Sequence, residues 1–237
     1  MMKTISEITK AGYGFLAFAL LLFIFSDKNQ ENALADAEGY YMYLPAISIY
    51  NGFKDIPVKT PGQFPIVDVT GNHYDKYTAG VAIMQLPFYT LAYLYTGIDK
   101  SYPQDGYSKP FQWCILIAAL FYTFAGLHLL YRLLRHEYSI LTTLIVLISL
   151  FYGTNLFYYS YYEPGMTHAY SFFLWASLIW TTQKIYVNPS WKNFAVLSIV
   201  ISLLVFVRPT NALGAVFIIL WVLQIFMTES NSSYGIF

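Results

Sequence analysis

Eight side chains in this 237-residue chain carry a charged or hydrogen-bonding group where its type and neighbours suggest chemistry: Asp36, Glu38, Lys76, Tyr77, Glu163, His168, Arg208 and Asn211. Asp36 and Glu38 lie just past the first apolar segment and just ahead of Tyr40, Tyr41 and Tyr43. Either carboxylate could take a proton from an incoming hydroxyl as a general base, or cap a short helix by accepting its first N–H groups. His168 follows Pro164-Gly165-Met166-Thr167 at the head of an apolar helix. A helix start presents free N–H groups and the positive end of the peptide dipole, which favour an anion such as phosphate. Arg208, in Arg208-Pro209-Thr210-Asn211, adds a planar donor fork suited to phosphate oxygens. Together they describe a receptor for a lipid phosphate with an acid beside it. Plainer roles fit the same residues. Glu163 and Lys76 could be solvated loop charges, His168 could be satisfied by a nearby carbonyl, and Arg208 could snorkel to headgroups at the end of a span. No G-x-S-x-G nucleophile elbow is present.

The elements that must hold these groups belong in a bilayer. The chain is 57% hydrophobic and 11% charged, where a soluble domain carries about 25% charged residues. Its 23 Tyr and 19 Phe suit the headgroup level, where an aromatic ring with a polar edge finds both media. Thirteen basic and thirteen acidic residues cancel, so nothing points to nucleic acid. Cys114 is single, and no Cys/His metal spacing occurs.

In chain order, residues 1–25 form a polar start and a first span. Ala33-Leu34-Ala35 resembles a signal-peptidase site, but it lies ten residues past the apolar run, beyond Asp27, Lys28 and Glu31. The segment therefore reads as an uncleaved signal anchor with a cytoplasmic N-terminus. Residues 26–110 read as a long outer loop with interfacial helices and a small hairpin at 64–77 turning on Gly71-Asn72. Residues 80–95, interrupted by Gln85 and Pro87, read as a second interfacial or re-entrant helix. A true span there is the alternative, and it would invert everything downstream. Residues 111–227 supply the remaining spans, at 111–134, 138–157, 167–187, 191–207 and 212–227, and 228–237 is a short tail. The fold class is all-α, a polytopic bundle of about six spans in one membrane domain. With 80–95 kept out of the bilayer, Lys3, Lys10, Arg132, Arg135, Lys184 and Lys192 fall on one side, as the positive-inside rule asks. Asn231-Ser232-Ser233 fits a glycosylation pattern but would face the cytoplasm.

Several motifs resemble those of bacterial GT-C-type membrane glycosyltransferases related to the protein O-mannosyltransferases and aminoarabinose transferases. They are Asp36-x-x-Gly-Tyr-Tyr-x-Tyr-Leu-Pro, Lys76-Tyr77-Thr78-x-Gly80 leading to Leu86-Pro87-Phe88, and Gly106-Tyr107-Ser108. Gly153-Thr154-Asn155-Leu156, Pro164-Gly-Met-Thr-His168-x-Tyr-Ser-Phe-Phe and Arg208-Pro-Thr-Asn211 continue the series. The resemblance implies a GT-C fold in the bacterial inner membrane and a polyprenyl-phosphate-linked sugar donor. It also implies transfer on the periplasmic face, with Asp36 matching the loop acid that serves as base. The other seven residues would then bind substrate. No cofactor is expected; Glu38 and Glu163 would be the ligands if a divalent metal were bound. Members of that family usually run much longer, so the match covers what would be their N-terminal half, and a truncated or non-catalytic protein that binds or transports polyprenyl-phosphate lipids is the alternative.

Overall fold

The apolar runs become helices because a chain in lipid must satisfy every backbone N–H and C=O internally. The computed structural model describes residues 2–60 and 65–214, together with 216 and 220. Its helices are α1 (Met2–Ile24), α2 (Asp36–Tyr41), α3 (Tyr43–Ser48), α4 (Gly80–Ile98), α5 (Lys109–Glu137), α6 (Ile140–Gly153), α7 (Leu156–Tyr161), α8 (Thr167–Val187) and α9 (Trp191–Val207). A 3₁₀ turn, Pro209–Ala212, follows α9. The only sheet among the described residues is a hairpin of β1 (Ile66–Val67) and β2 (His73–Tyr74), paired antiparallel. Gly71 supplies the positive φ of +84° that its turn requires. Most of the last expected span, 212–227, and the 228–237 tail lie outside the described residues.

The long helix α5 is the axis of the bundle, and all three apolar clusters draw on it. α1 lies antiparallel to it: Glu7 meets Arg135 at 3.4 Å, Gly12 abuts His128, and Phe18 packs on Phe124 at 5.6 Å. α8 runs parallel to α5, with Tyr170 against Tyr122 and Trp180 against Arg132. Gly126 permits this approach, since a Cβ there would sit 2.8 Å from the Phe172 ring. α9 returns antiparallel to α8. The N-terminal part of α1, the end of α5, the end of α8 and the start of α9 therefore share one end of the bundle. Arg132, Arg135 and Lys184 gather there.

Among the described residues, three helical segments are long and apolar enough to cross a membrane: Ser6–Ile24 in α1, Gly80–Ile98 and Lys109–Glu137. The first and third agree with the sequence reading; the second is longer than it. Residues 80–95 were expected to be short for a span, yet α4 continues to Ile98 and ends where the Asp99 N–H bonds the Tyr95 carbonyl. Its position is offset, however. The ring and hydrogen-bond contacts joining α4 to α5 run from Tyr89 with Phe111 to Met84 with Tyr122, while α1 and α8 flank the remaining half of α5. Residues 138–157 also differ from one continuous span. Thr154 turns extended and its hydroxyl bonds back to the Leu150 carbonyl at 2.6 Å, so α6 ends at Gly153 and α7 restarts at Leu156. At 14 residues α6 is about 21 Å long, short of the ~30 Å hydrocarbon core.

Candidate functional site

Asp36 opens α2 directly after Ala35, a non-glycine residue in the left-handed region at φ 50°. The Tyr77 hydroxyl lies beside the Asp36 carboxylate: burial first, and that carboxylate next, raise the Tyr77 pKa. Tyr77 is in turn held at three points. Its N–H donates to Asp75 Oδ1 at 2.9 Å, its carbonyl accepts from the Tyr43 hydroxyl, and its ring packs on Tyr40 at 4.5 Å. Tyrosines expected chiefly as an interfacial belt thus build the frame around the acid.

Two glycines bring distant segments to this frame. Gly80 starts α4 directly against the end of α9: a Cβ there would lie 2.3 Å from the backbone of Phe206 and Val207. Residues 76–79 and Arg208 are neighbours for that reason, and Thr78 Oγ1 donates to the Val207 carbonyl at 3.4 Å. Gly165 presses the loop before α8 onto α2, where a Cβ would meet the Asn32 carbonyl at 2.5 Å and Ala37 Cβ at 2.6 Å. The loop and α2 enclose a cavity of about 520 Å³ lined by Glu31, Asp36, Tyr158, Tyr162, Glu163 and Met166, among others. Across it, Tyr158 donates its hydroxyl to Glu163 Oε1 at 2.9 Å.

His168 and Arg208 stand beside this cavity rather than in its lining. His168 stacks flat on Tyr159, centroids 3.6 Å apart, and its Nδ1 is buried without a hydrogen-bond partner among the described residues. Both Arg208 and Glu163 act on it electrostatically. Arg208 is exposed and has no ion-pair partner within 4.0 Å among the described residues. Tyr40 feels the charges of Asp36, Arg208 and Asp75; burial, with Asp36 next, raises its pKa. Asp36, Glu163, His168 and Arg208 therefore form one electrostatic neighbourhood.

Three of the eight residues are otherwise engaged. Glu38, expected to contact substrate, is wholly buried, and its two oxygens accept from the backbone N–H groups of Lys59 at 2.5 Å and Thr60 at 2.7 Å. It staples the segment at Lys59 and Thr60 to α2. Asn211 donates to Ser171 Oγ and to the Leu204 carbonyl, both at 3.1 Å, tying the 3₁₀ turn to α8 and α9. Lys76 is exposed, its ammonium 5.0 Å from the centre of the Tyr77 ring. The possible metal pair does not assemble either. Glu38 is committed to the loop and Glu163 to Tyr158, and no group of three His, Cys, Asp or Glu among the described residues could hold a metal ion.

No family model, no curated protein and no solved structure matches this chain.

One acid in the site escaped the sequence reading. Asp75 is roughly half-buried, one oxygen on the Tyr77 N–H and the other, Oδ2, buried without a partner among the described residues. Burial raises its pKa from 3.8 to about 6, against the backbone N–H groups of Tyr77 and Lys76, which pull it down. A carboxyl poised near neutrality beside other charged groups is a common mark of a working site. In the sequence, Asp75 next to Lys76 looks like a solvated surface pair. The one signal was its place two residues before Tyr77, the spacing of an Asx turn.

Proposed function

We propose that this chain is a GT-C-type glycosyltransferase of the bacterial inner membrane, with about six spans and a cytoplasmic N-terminus. It moves a sugar from a polyprenyl-phosphate donor to a hydroxyl-bearing acceptor on the periplasmic face. The observation that carries the reading is one neighbourhood holding an acid beside a tyrosine hydroxyl and an arginine without a counter-charge among the described residues: Asp36 with Tyr77, and Arg208. Asp36 accepts the acceptor's proton as that oxygen attacks the anomeric carbon. The bond from that carbon to the phosphate oxygen breaks, and its electron pair leaves with the polyprenyl phosphate. Arg208 and the N-terminus of α8 at His168 stabilise the negative charge on that leaving group. The gathering of Arg132, Arg135 and Lys184 at the opposite end of the bundle supports the sidedness, since cytoplasmic ends are the basic ones.

Full-length protein in lipid vesicles, supplied with a polyprenyl-phosphate sugar, tests this. Asp36→Asn keeps the shape and removes the basicity, so transfer should fall by about 10²–10⁴ while lipid-phosphate binding persists. Arg208→Ala should weaken that binding. Unchanged transfer by the Asp36→Asn protein rejects the assignment. Binding that depends on Arg208, with no transfer by any form, would favour a carrier of polyprenyl phosphates.

A further inference from the structure

The end of the bundle remote from Asp36 carries a second polar cleft, of about 380 Å³, where α5 ends, α8 ends and α9 begins. His136, Trp180, Gln183, Lys184, Asn188 and Asn193 line it. Every polar side chain in that lining can donate a hydrogen bond, and none is a carboxylate. The Trp180 ring is shared by two cations: the Arg132 guanidinium lies 4.2 Å from its centre and the Lys184 ammonium 5.1 Å. Arg132 Nε is buried without a hydrogen-bond partner among the described residues. At this end Glu7 pairs with Arg135 at 3.4 Å, and neither residue lines the cleft. Glu137, next to His136 in the chain, does not line it either.

Two like charges held on one ring with no acid between them repel each other, and more strongly as water is excluded. Arg132 itself does not line the cleft, but an anion held there by Lys184 would offset that repulsion and meet the amides of Gln183, Asn188 and Asn193. We propose that this cleft binds a phosphate group. At the end of a membrane bundle, with Trp180 positioned to sit at headgroup level, an anionic lipid headgroup is one source; free phosphate is the other. Basic pockets between helices at the cytoplasmic side take lipid phosphates on the same principle. The site is separate from the Asp36 neighbourhood and does not depend on glycosyl transfer.

Native mass spectrometry and binding measurements on the full chain, released from vesicles of phosphatidylcholine with or without phosphatidylglycerol, test it. Wild type should retain a phosphatidylglycerol molecule, and Lys184→Gln should retain at least about tenfold less, which is 1.4 kcal/mol. Lys109→Gln, the same charge loss at the opposite end of α5, should retain as much as wild type. If inorganic phosphate displaces the lipid or binds alone with the same dependence on Lys184, free phosphate is an occupant too. If only the lipid binds, the headgroup is the ligand. Should Lys184→Gln prove unstable, His136→Gln with Asn193→Ala makes the same test from the facing elements. Retention equal in wild type and the cleft variants, with no Lys184-dependent phosphate binding, overturns the proposal.

Discussion

Replacing Asp75 by Asn should stabilise the protein above neutral pH and do almost nothing at acid pH. Burial raises this carboxyl from 3.8 to about 6, so the folded chain holds the proton more tightly than the unfolded one. The stability contributed by that proton is complete below about 3.8 and is lost as the pH rises through about 6. Asn keeps an acceptor for the Tyr77 N–H, now at 2.9 Å from Oδ1, and never ionises. A difference of about 2 pH units corresponds to about 3 kcal/mol at most, and solvent around a half-exposed carboxylate reduces this to about 1–2 kcal/mol. For a chain of this size that is a rise of about 2–8 °C in melting temperature. Thermal unfolding in detergent should show wild type and variant converging toward about pH 4, separating up to about pH 6, and running parallel above it. A variant less stable than wild type at high pH, or a gap independent of pH, would refute the reasoning, because the unpartnered Oδ2 would then not be a desolvated charge.

Three further substitutions probe the frame around the site. Tyr77→Phe removes the hydroxyl beside Asp36; it should lower transfer by about tenfold, while circular dichroism stays unchanged. Glu38→Ala leaves the buried N–H groups of Lys59 and Thr60 without their acceptor, which should cost about 2–4 kcal/mol and expose the 49–60 loop to protease. Gly80→Ala forces a Cβ to within 2.3 Å of the Phe206–Val207 backbone. It should destabilise by about 1–3 kcal/mol or more, seen as a lower melting temperature, and weaken lipid-phosphate binding by displacing Arg208.

Composition alone placed this chain in a membrane, because so few charges cannot cover a water-facing surface. The sequence also singled out most of the polar cluster, for charged groups stand out in an apolar chain. The 66–74 hairpin was legible from its Gly71-Asn72 turn, and α5 from its length and its basic end. Local pattern could not say which polar groups were already satisfied. Glu38 and Asn211 looked like ligand contacts, but their oxygens and nitrogens face backbone and side-chain partners 7 to 40 residues away. Asp75 looked like a surface charge because its burial comes from residues folded over it, and burial is what sets its proton affinity. Likewise the run 80–98 announces an apolar helix, but its offset along α5 depends on Gly80 meeting the end of α9. Hydropathy and turn chemistry act between neighbours in the chain, so the sequence could determine class and elements. Hydrogen-bond satisfaction, desolvation and helix depth are set by partners brought together through space, and only the tertiary structure decided those.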